Sequence, residues 1–218
     1  MKIALINASP RLQMKKHEHT VTSLLLEDVR RLIRKGSQHE FVEFHIKTAY
    51  PGEDMIRSIL SCDVLVIGFP VYLSGLPAHM LSAMVAIEEA SVWQAKEIMV
   101  YAIGHSALYE AAEVFPSLHM LEAWCERCSF NWGGGMAVGA GISHDQKNNV
   151  SDLALGRRRT YLRRLTGLTE AISDGVPILN AGCTTDASRN SFLRRYNRMV
   201  RKRAREMGVV PADIKEES

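Results

Sequence analysis

The sequence predicts an α/β sandwich: a five-stranded parallel sheet in the order 2-1-3-4-5, with a helical extension after it. Three observations predict it. Short apolar runs alternate with stretches of helical periodicity, the pattern of successive β-α units. One of those runs, Asp63–Phe69 (DVLVIGF), is apolar almost throughout, which suits a strand covered on both faces. Right-handed crossovers between such strands wind helices onto both sides of the sheet.

Each element follows from local pattern. Residues 2–7 (KIALIN) form the first strand, which stops at Ala8-Ser9-Pro10-Arg11. A polar, basic stretch follows. From Thr20 to about Lys35, apolar residues recur at helical spacing (Val21, Leu24, Leu25, Val29, Leu32, Ile33) until Gly36 ends the helix. Residues 40–47 (EFVEFHIK) alternate and make a second, more peripheral strand. A short helix over 53–61 carries Met55, Ile56, Ile59 and Leu60 on one face, ahead of the third strand at 63–69. Pro70–Leu76 is a loop, and Pro77 suits the first turn of a helix running to about Ala90. Residues 97–103 (EIMVYAI) are the fourth strand, followed by Gly104-His105-Ser106. Residues 108–128 are helical, with Pro116 as a kink or break. The fifth strand, 131–141 (NWGGGMAVGAG), has a glycine-rich start. Five strands match the flavodoxin-like sheet better than the six-stranded dinucleotide fold.

Residues 1–142 therefore read as a flavodoxin-like, three-layer domain and residues 143–218 as a helical extension, packed on that domain or on a partner subunit. Ser143–Asp152 is a polar gap. Ser151 or Asp152 caps a helix to about Asp174, with Tyr161, Leu162, Leu165, Leu168 and Ile172 on one face. After Gly175-Val176-Pro177, a loop (ILNAGCTTDA) leads to a last helix, about Ser188 to Met207, with an apolar stripe of Phe192, Tyr196, Met199, Val200 and Met207.

Composition narrows the class. At 46% hydrophobic and 23% charged residues, the 218-residue chain has the proportions of a globular protein, which excludes collagen-like or disordered classes. Four cysteines are too few for a disulfide scaffold. The apolar run at Met1–Asn7 is too short for a secretory signal, and no run approaches the length of a membrane span. A cytoplasmic protein with reduced thiols is expected. Charge is uneven: residues 1–150 are net −3 and residues 151–218 net +6.

Open parallel sheets bind ligands at the carboxyl ends of their strands, at the switch point. The loops there are 8–20, 70–77 and 104–109. The first offers Ser9, Arg11, Lys15, Lys16, His19 and Thr20 just before a helix. Hydroxyls, cations and free helix amides suit a phosphate, and a solvated loop with a capping threonine gives the same pattern. No P-loop or G-x-G-x-x-G is present. In the second loop, Gly75 permits close backbone approach and Tyr72 could flank a planar ring, or could be a core tyrosine in a simple turn.

Together these stretches resemble a family. Asn7-Ala8-Ser9-Pro10-Arg11, Pro70-Val71-Tyr72-Leu73-Ser74-Gly75-Leu76-Pro77-Ala78 and Gly104-His105-Ser106 are similar to the NAD(P)H-dependent FMN reductases and the related flavodoxin-type quinone reductases. The resemblance covers about residues 1–141. It implies FMN bound at the sheet edge. Ser9, Arg11 and Thr20, with His19 beside them, would map onto the phosphate-binding loop. Pro70, Val71, Tyr72, Leu73, Ser74 and Gly75 would lie along the isoalloxazine and ribityl, and Gly104 and His105 would contact the ring from the next strand. The implied activity passes a hydride from NAD(P)H to the flavin, then electrons to a quinone, azo or nitro compound, ferric chelate or free flavin. The cofactor does the hard step, so no catalytic acid or base is assigned. A homodimer or homotetramer is implied. Two alternatives stay open: an FMN-binding electron carrier or sensor with poor NAD(P)H turnover, and a flavin-free interaction protein working through its basic helices.

Other signals carry less. Cys125-Glu-Arg-Cys128 falls at a helix end, whereas a redox pair sits at a helix N-terminus. A zinc site lacks its second pair, and no H-x-x-x-H occurs, so no metal is expected. Trp132-Gly133-Gly134-Gly135 leaves room for a partner or a ring, or is a poorly paired strand entrance. Met80, Met84 and Met99 suit core filling. The last two helices are crowded with arginine. They lack a nucleic-acid motif and interleaved aromatics, which argues against nucleic acid and for contact with a second subunit.

Overall fold

Five parallel pairings join six strands into one sheet, in the order β2-β1-β3-β4-β5-β6. The computed structural model describes residues 1–10, 20–34, 38–92, 96–140, 155–185 and 188–209. In chain order the elements are β1 (Lys2–Asn7), α1 (Val21–Arg34), β2 (Glu40–His45), α2 (Glu53–Leu60), β3 (Val64–Pro70), α3 (Ala78–Ser91), β4 (Met99–His105), α4 (Phe115–Cys128), β5 (Asn131–Gly139), α5 (Leu155–Asp174), β6 (Ala181–Thr184) and α6 (Arg189–Glu206). This is a flavodoxin-like sandwich: the central order 2-1-3-4-5 is kept, and the switch point lies between β1 and β3.

Side-chain alternation along each strand builds two cores. On one face Ala4, Ile6, Leu65, Ile67, Phe69 and Ala102 pack under α2, α3 and α4. On the other Ile3, Leu5, Val66, Ile103 and Val138 pack under α1 and α5. All seven residues of β3 are buried, as its unbroken apolar run predicts.

The expected strand count of five is corrected to six. Ala181–Thr184 was expected in a loop, yet it pairs with Met136–Gly139 along the edge of β5. The segment is four residues of small or polar character, too short for a readable alternation. Its ladder is dictated by the open edge of β5 rather than by its own pattern. Two further boundaries move. Pro116 does not break a helix: a 3₁₀ turn at Ala111–Val114 precedes α4, and Pro116 sits in its first turn, where a missing N–H has no cost. Gly104 and His105 belong to β4 rather than to the loop beyond it.

The glycine run of β5 serves internal packing. A Cβ on Gly133 would lie 2.5 Å from the Tyr101 ring, and one on Gly135 2.6 Å from Leu118. Residues two apart normally share a face. Here a bulge in β5, which leaves Gly133 unpaired opposite the Val100–Tyr101 step, and a φ of +105° at Gly134 turn the strand over, so Gly133 faces α5 and Gly135 faces α4. The Tyr101 hydroxyl donates to the Ala171 carbonyl and lies equally near that of Val176, both at 2.8 Å.

Among the described residues no helix is long and apolar enough to cross a membrane. Helix α6 stands apart from the sandwich. Ser188 caps it, accepting from the Ser191 amide at 3.2 Å. Phe192 is its one buried residue and meets the Tyr109 ring at 5.7 Å.

Candidate functional site

The carboxyl ends of β1, β3 and β4 meet beside the N-terminus of α1. Each connection there is locked by a bond to a neighbour. The Ala8 amide donates to the Gly68 carbonyl (2.9 Å), and the Val71 amide to that of His105 (2.9 Å). Asn7 Oδ1 accepts from the Ser9 amide at 3.0 Å, closing a tight turn after β1. Two imidazoles hold the carbonyls of this turn: His79 Nε2 reaches Ala8 at 3.2 Å and His45 Nε2 reaches Ser9 at 3.0 Å. Ser9 is buried as a result.

Thr20 stands at the start of α1, where helix amides lack intrahelical partners. Its Oγ1 accepts from the Ser23 amide at 3.1 Å, which leaves its own O–H available to donate to an anion. Two residues on, the buried Thr22 hydroxyl lies 2.9 Å from His105 Nε2. That bond ties the end of β4 to the first turn of α1. Arg11 and His19, expected at this site, lie outside the described residues.

The turn after β3 has the most particular conformation. Tyr72 and Gly75 exchange two backbone hydrogen bonds, each of 3.0 Å, around Leu73 and Ser74. Both central residues are left-handed, at φ of 50° and 61°. A two-residue turn of this kind favours Asn and Gly, so Leu73 and Ser74 hold it under strain. Helix α4 and the 3₁₀ turn before it supply the restraint. Ser74 Oγ donates to Glu113 Oε2 in a short hydrogen bond, and Ser117 Oγ donates to the Ser74 carbonyl at 3.1 Å. Leu73 is fully exposed at the tip and Tyr72 half-exposed, while Val71 is buried.

Ser9, Thr20, Pro70–Gly75 and His105 thus converge on one end of the sheet. Gly104 lies beneath them, and its missing side chain has an internal reason. A Cβ there would lie 2.4 Å from Val114 and 2.8 Å from Phe69. The donors at this end, hydroxyls and first-turn amides, suit the phosphate of a ligand, and the exposed Tyr72-Leu73 turn suits a planar ring. Sequence reasoning missed Thr22, His45, His79, Glu113 and Ser117. No local signal marks them, because each acts across 36 or more positions of chain.

No group of three metal-ligating side chains is gathered among the described residues. All four cysteines are buried and unbridged. Burial pushes the thiols of Cys128 and Cys183 up to about 11 and about 12, and that of Cys125 higher still. They stay protonated at neutral pH, so Cys125 and Cys128 do not form a reactive pair.

No protein-family model and no curated protein matches the chain. Solved structures do. The Trp repressor binding protein of Bacillus subtilis aligns with a TM-score of 0.50 at 16% identity, covering 76% of this chain and 96% of its own. An FMN-dependent NADH-azoreductase of Bacillus anthracis, solved with FMN, aligns at 0.53 and 9%, over 79% and 100%. An NADPH-quinone reductase of P. pentosaceus aligns at 0.50 and 14%, over 78% and 96%. At such identities the likeness establishes the fold.

Proposed function

We propose that this protein is an FMN-dependent NAD(P)H oxidoreductase that passes a hydride from NAD(P)H to the flavin, and electrons on to a small acceptor. The observation that carries the reading is the Tyr72–Gly75 turn. Two non-glycine left-handed residues present an exposed apolar tip at the carboxyl end of β3, and a dedicated carboxylate and hydroxyl hold them there. Strain of this kind is kept where a ligand needs a preset surface. Two of the solved structures sharing the fold are, by name, an NADH-azoreductase with FMN and an NADPH-quinone reductase.

Flavin, when bound, supplies the hydride acceptor and donor chemistry. This chain's part is to bind and orient. Thr20 and the first turn of α1 would hold the phosphate, with Arg11 and His19 from the same loop. Pro70–Gly75 would line the ring and ribityl. His105, held by Thr22, would close the side next to β4. Quinones, azo and nitro compounds, ferric chelates and free flavin are all acceptors of the proposed class. A homodimer or homotetramer in the cytoplasm belongs to the same proposal.

The test is direct. The protein is purified without added cofactor, its visible spectrum recorded and any chromophore released by denaturation identified. A flavin band with free FMN, bleached within seconds by anaerobic NADPH, is the expected result. Slow bleaching would point to an electron carrier. A colourless protein that takes up no added FMN would remove the proposal.

A further inference from the structure

The outer surface of α3 is unusual for a helix in the outer layer of a sandwich. Its inner face buries Met80, Ala83, Met84 and Ile87. Its outer face exposes Leu81 and Val85, with Val92 just past its end, at 37%, 51% and 70%. A solvent-facing helix ordinarily carries polar residues there, and one that is apolar all round is covered. Next to it α4 exposes Met120 at 43%. The two helices are one rigid surface: the Trp124 indole donates to the Met84 carbonyl at 3.0 Å, and Arg127 pairs with Glu88 at 2.6 Å.

The rim of this surface is acidic, with Glu89 and Glu126 exposed and Glu122 half-exposed. Residues 51–140 hold ten Asp and Glu against three Lys and Arg. Each of those three is already paired, Arg57 with Asp54, Lys96 with Asp63 and Arg127 with Glu88. Among the described residues Glu89, Glu122 and Glu126 form no ion pair, so the rim keeps its negative charge.

Helix α6 is the complement. Residues 189–206 hold eight Lys and Arg and one acidic residue, Glu206. Arg194, Arg198, Lys202 and Arg205 recur at helical spacing and form one stripe about 16 Å long. Beside it run Tyr196, Met199 and Val200, half-buried. Like charges so spaced repel along the helix, and a negative surface relieves them. The chain's own acidic face does not do so: among the described residues Arg198, Lys202 and Arg205 make no ion pair, and Phe192 alone is buried.

We propose that α6 is an arm that docks on the α3–α4 face of a second copy of this chain, its basic stripe against the acidic rim and its apolar side against Leu81, Val85 and Met120. Two copies exchanging arms make a closed, two-fold pair. The interface shares with the proposed function only the expectation of a homo-oligomer; flavin binding, read from the visible spectrum, and this interface, read from the mass, stand or fall separately.

Light scattering on the full chain tests it. The wild type should show twice the 24.4 kDa chain mass. The triple variant Arg198→Glu, Lys202→Glu, Arg205→Glu should halve that mass, as should Glu89→Lys, Glu122→Lys, Glu126→Lys, with circular dichroism unchanged in both. Mixing the two variants should restore the doubled mass, because each arm again meets an opposite charge. A monomeric wild type overturns the proposal, and so does an arm variant of unchanged mass or a folded mixture that does not pair. If nuclease treatment lowers the wild-type mass and removes absorbance at 260 nm, a nucleic acid occupies the arm and the proposal is wrong.

Discussion

The two helical layers differ in what they present to water. Under α1 and α5 the protein buries hydrogen-bonded side chains: Tyr161 donates to Asp28 at 3.1 Å, and the Tyr101 hydroxyl is held by the end of α5. The outside of that layer includes exposed Arg31 and Arg159. Under α2, α3 and α4 the buried polar side chains bond to backbone carbonyls, Trp124 to Met84 and Ser117 to Ser74, and part of the outer surface is apolar. One layer is finished against water. The other leaves Leu81, Val85 and Met120 exposed on its outer surface. Inner packing is met by one chain, and the apolar exterior is the surface that the proposed second copy would cover.

The sharpest break of this comparison is a cavity under α4. Leu118 is completely buried, so Leu118→Ala should cost about 2–5 kcal/mol in urea unfolding. A loss under 1 kcal/mol would mean that α4 is not a packed layer. Next comes the polar layer. Tyr161→Phe removes a donor to a buried carboxylate and should cost about 1–3 kcal/mol by the same assay. An unchanged midpoint would show that Asp28 is satisfied without it.

Tyr101 gives a pH signature to the α5 side. Burial first, and the Asp174 charge second, push its hydroxyl up to about 12 from an ordinary value near 10. A folded-state value above the unfolded one adds stability that is whole below about pH 10 and is lost as pH rises toward 12. Unfolding midpoints should therefore fall over that window in the wild type and fall less in Tyr101→Phe. Parallel curves would remove Tyr101 as a cause.

The smallest effect on stability belongs to the outer face. Val85→Ser should change unfolding of the isolated chain by no more than about 0.5 kcal/mol, because an exposed side chain loses little on truncation. It should nonetheless weaken self-association in sedimentation. A large loss of stability would place Val85 inside the monomer's own core.

Much of the fold was legible beforehand because its signals are local. The apolar run at 63–69 is β3, and the stripe of Tyr161, Leu165, Leu168 and Ile172 is the buried face of α5. β6 was not legible, since four residues docked on an existing edge need no pattern of their own. At the candidate site, Ser9, Thr20 and the 70–75 turn stood out by residue type in switch-point loops. Their supports did not: Glu113 restrains Ser74 from 39 positions away, and His105 meets Thr22 from 83.

By itself the sequence determined β1 to β5, the helices between and after them, their order and the segregation of charge, because periodicity and composition act over a few neighbouring residues. Only the tertiary structure decided why Gly133, Gly134 and Gly135 lack side chains, how the left-handed turn at Leu73 and Ser74 is held, and that apolar Leu81 and Val85 face outward. Each of these depends on what stands opposite, and that is set by packing between distant parts of the chain.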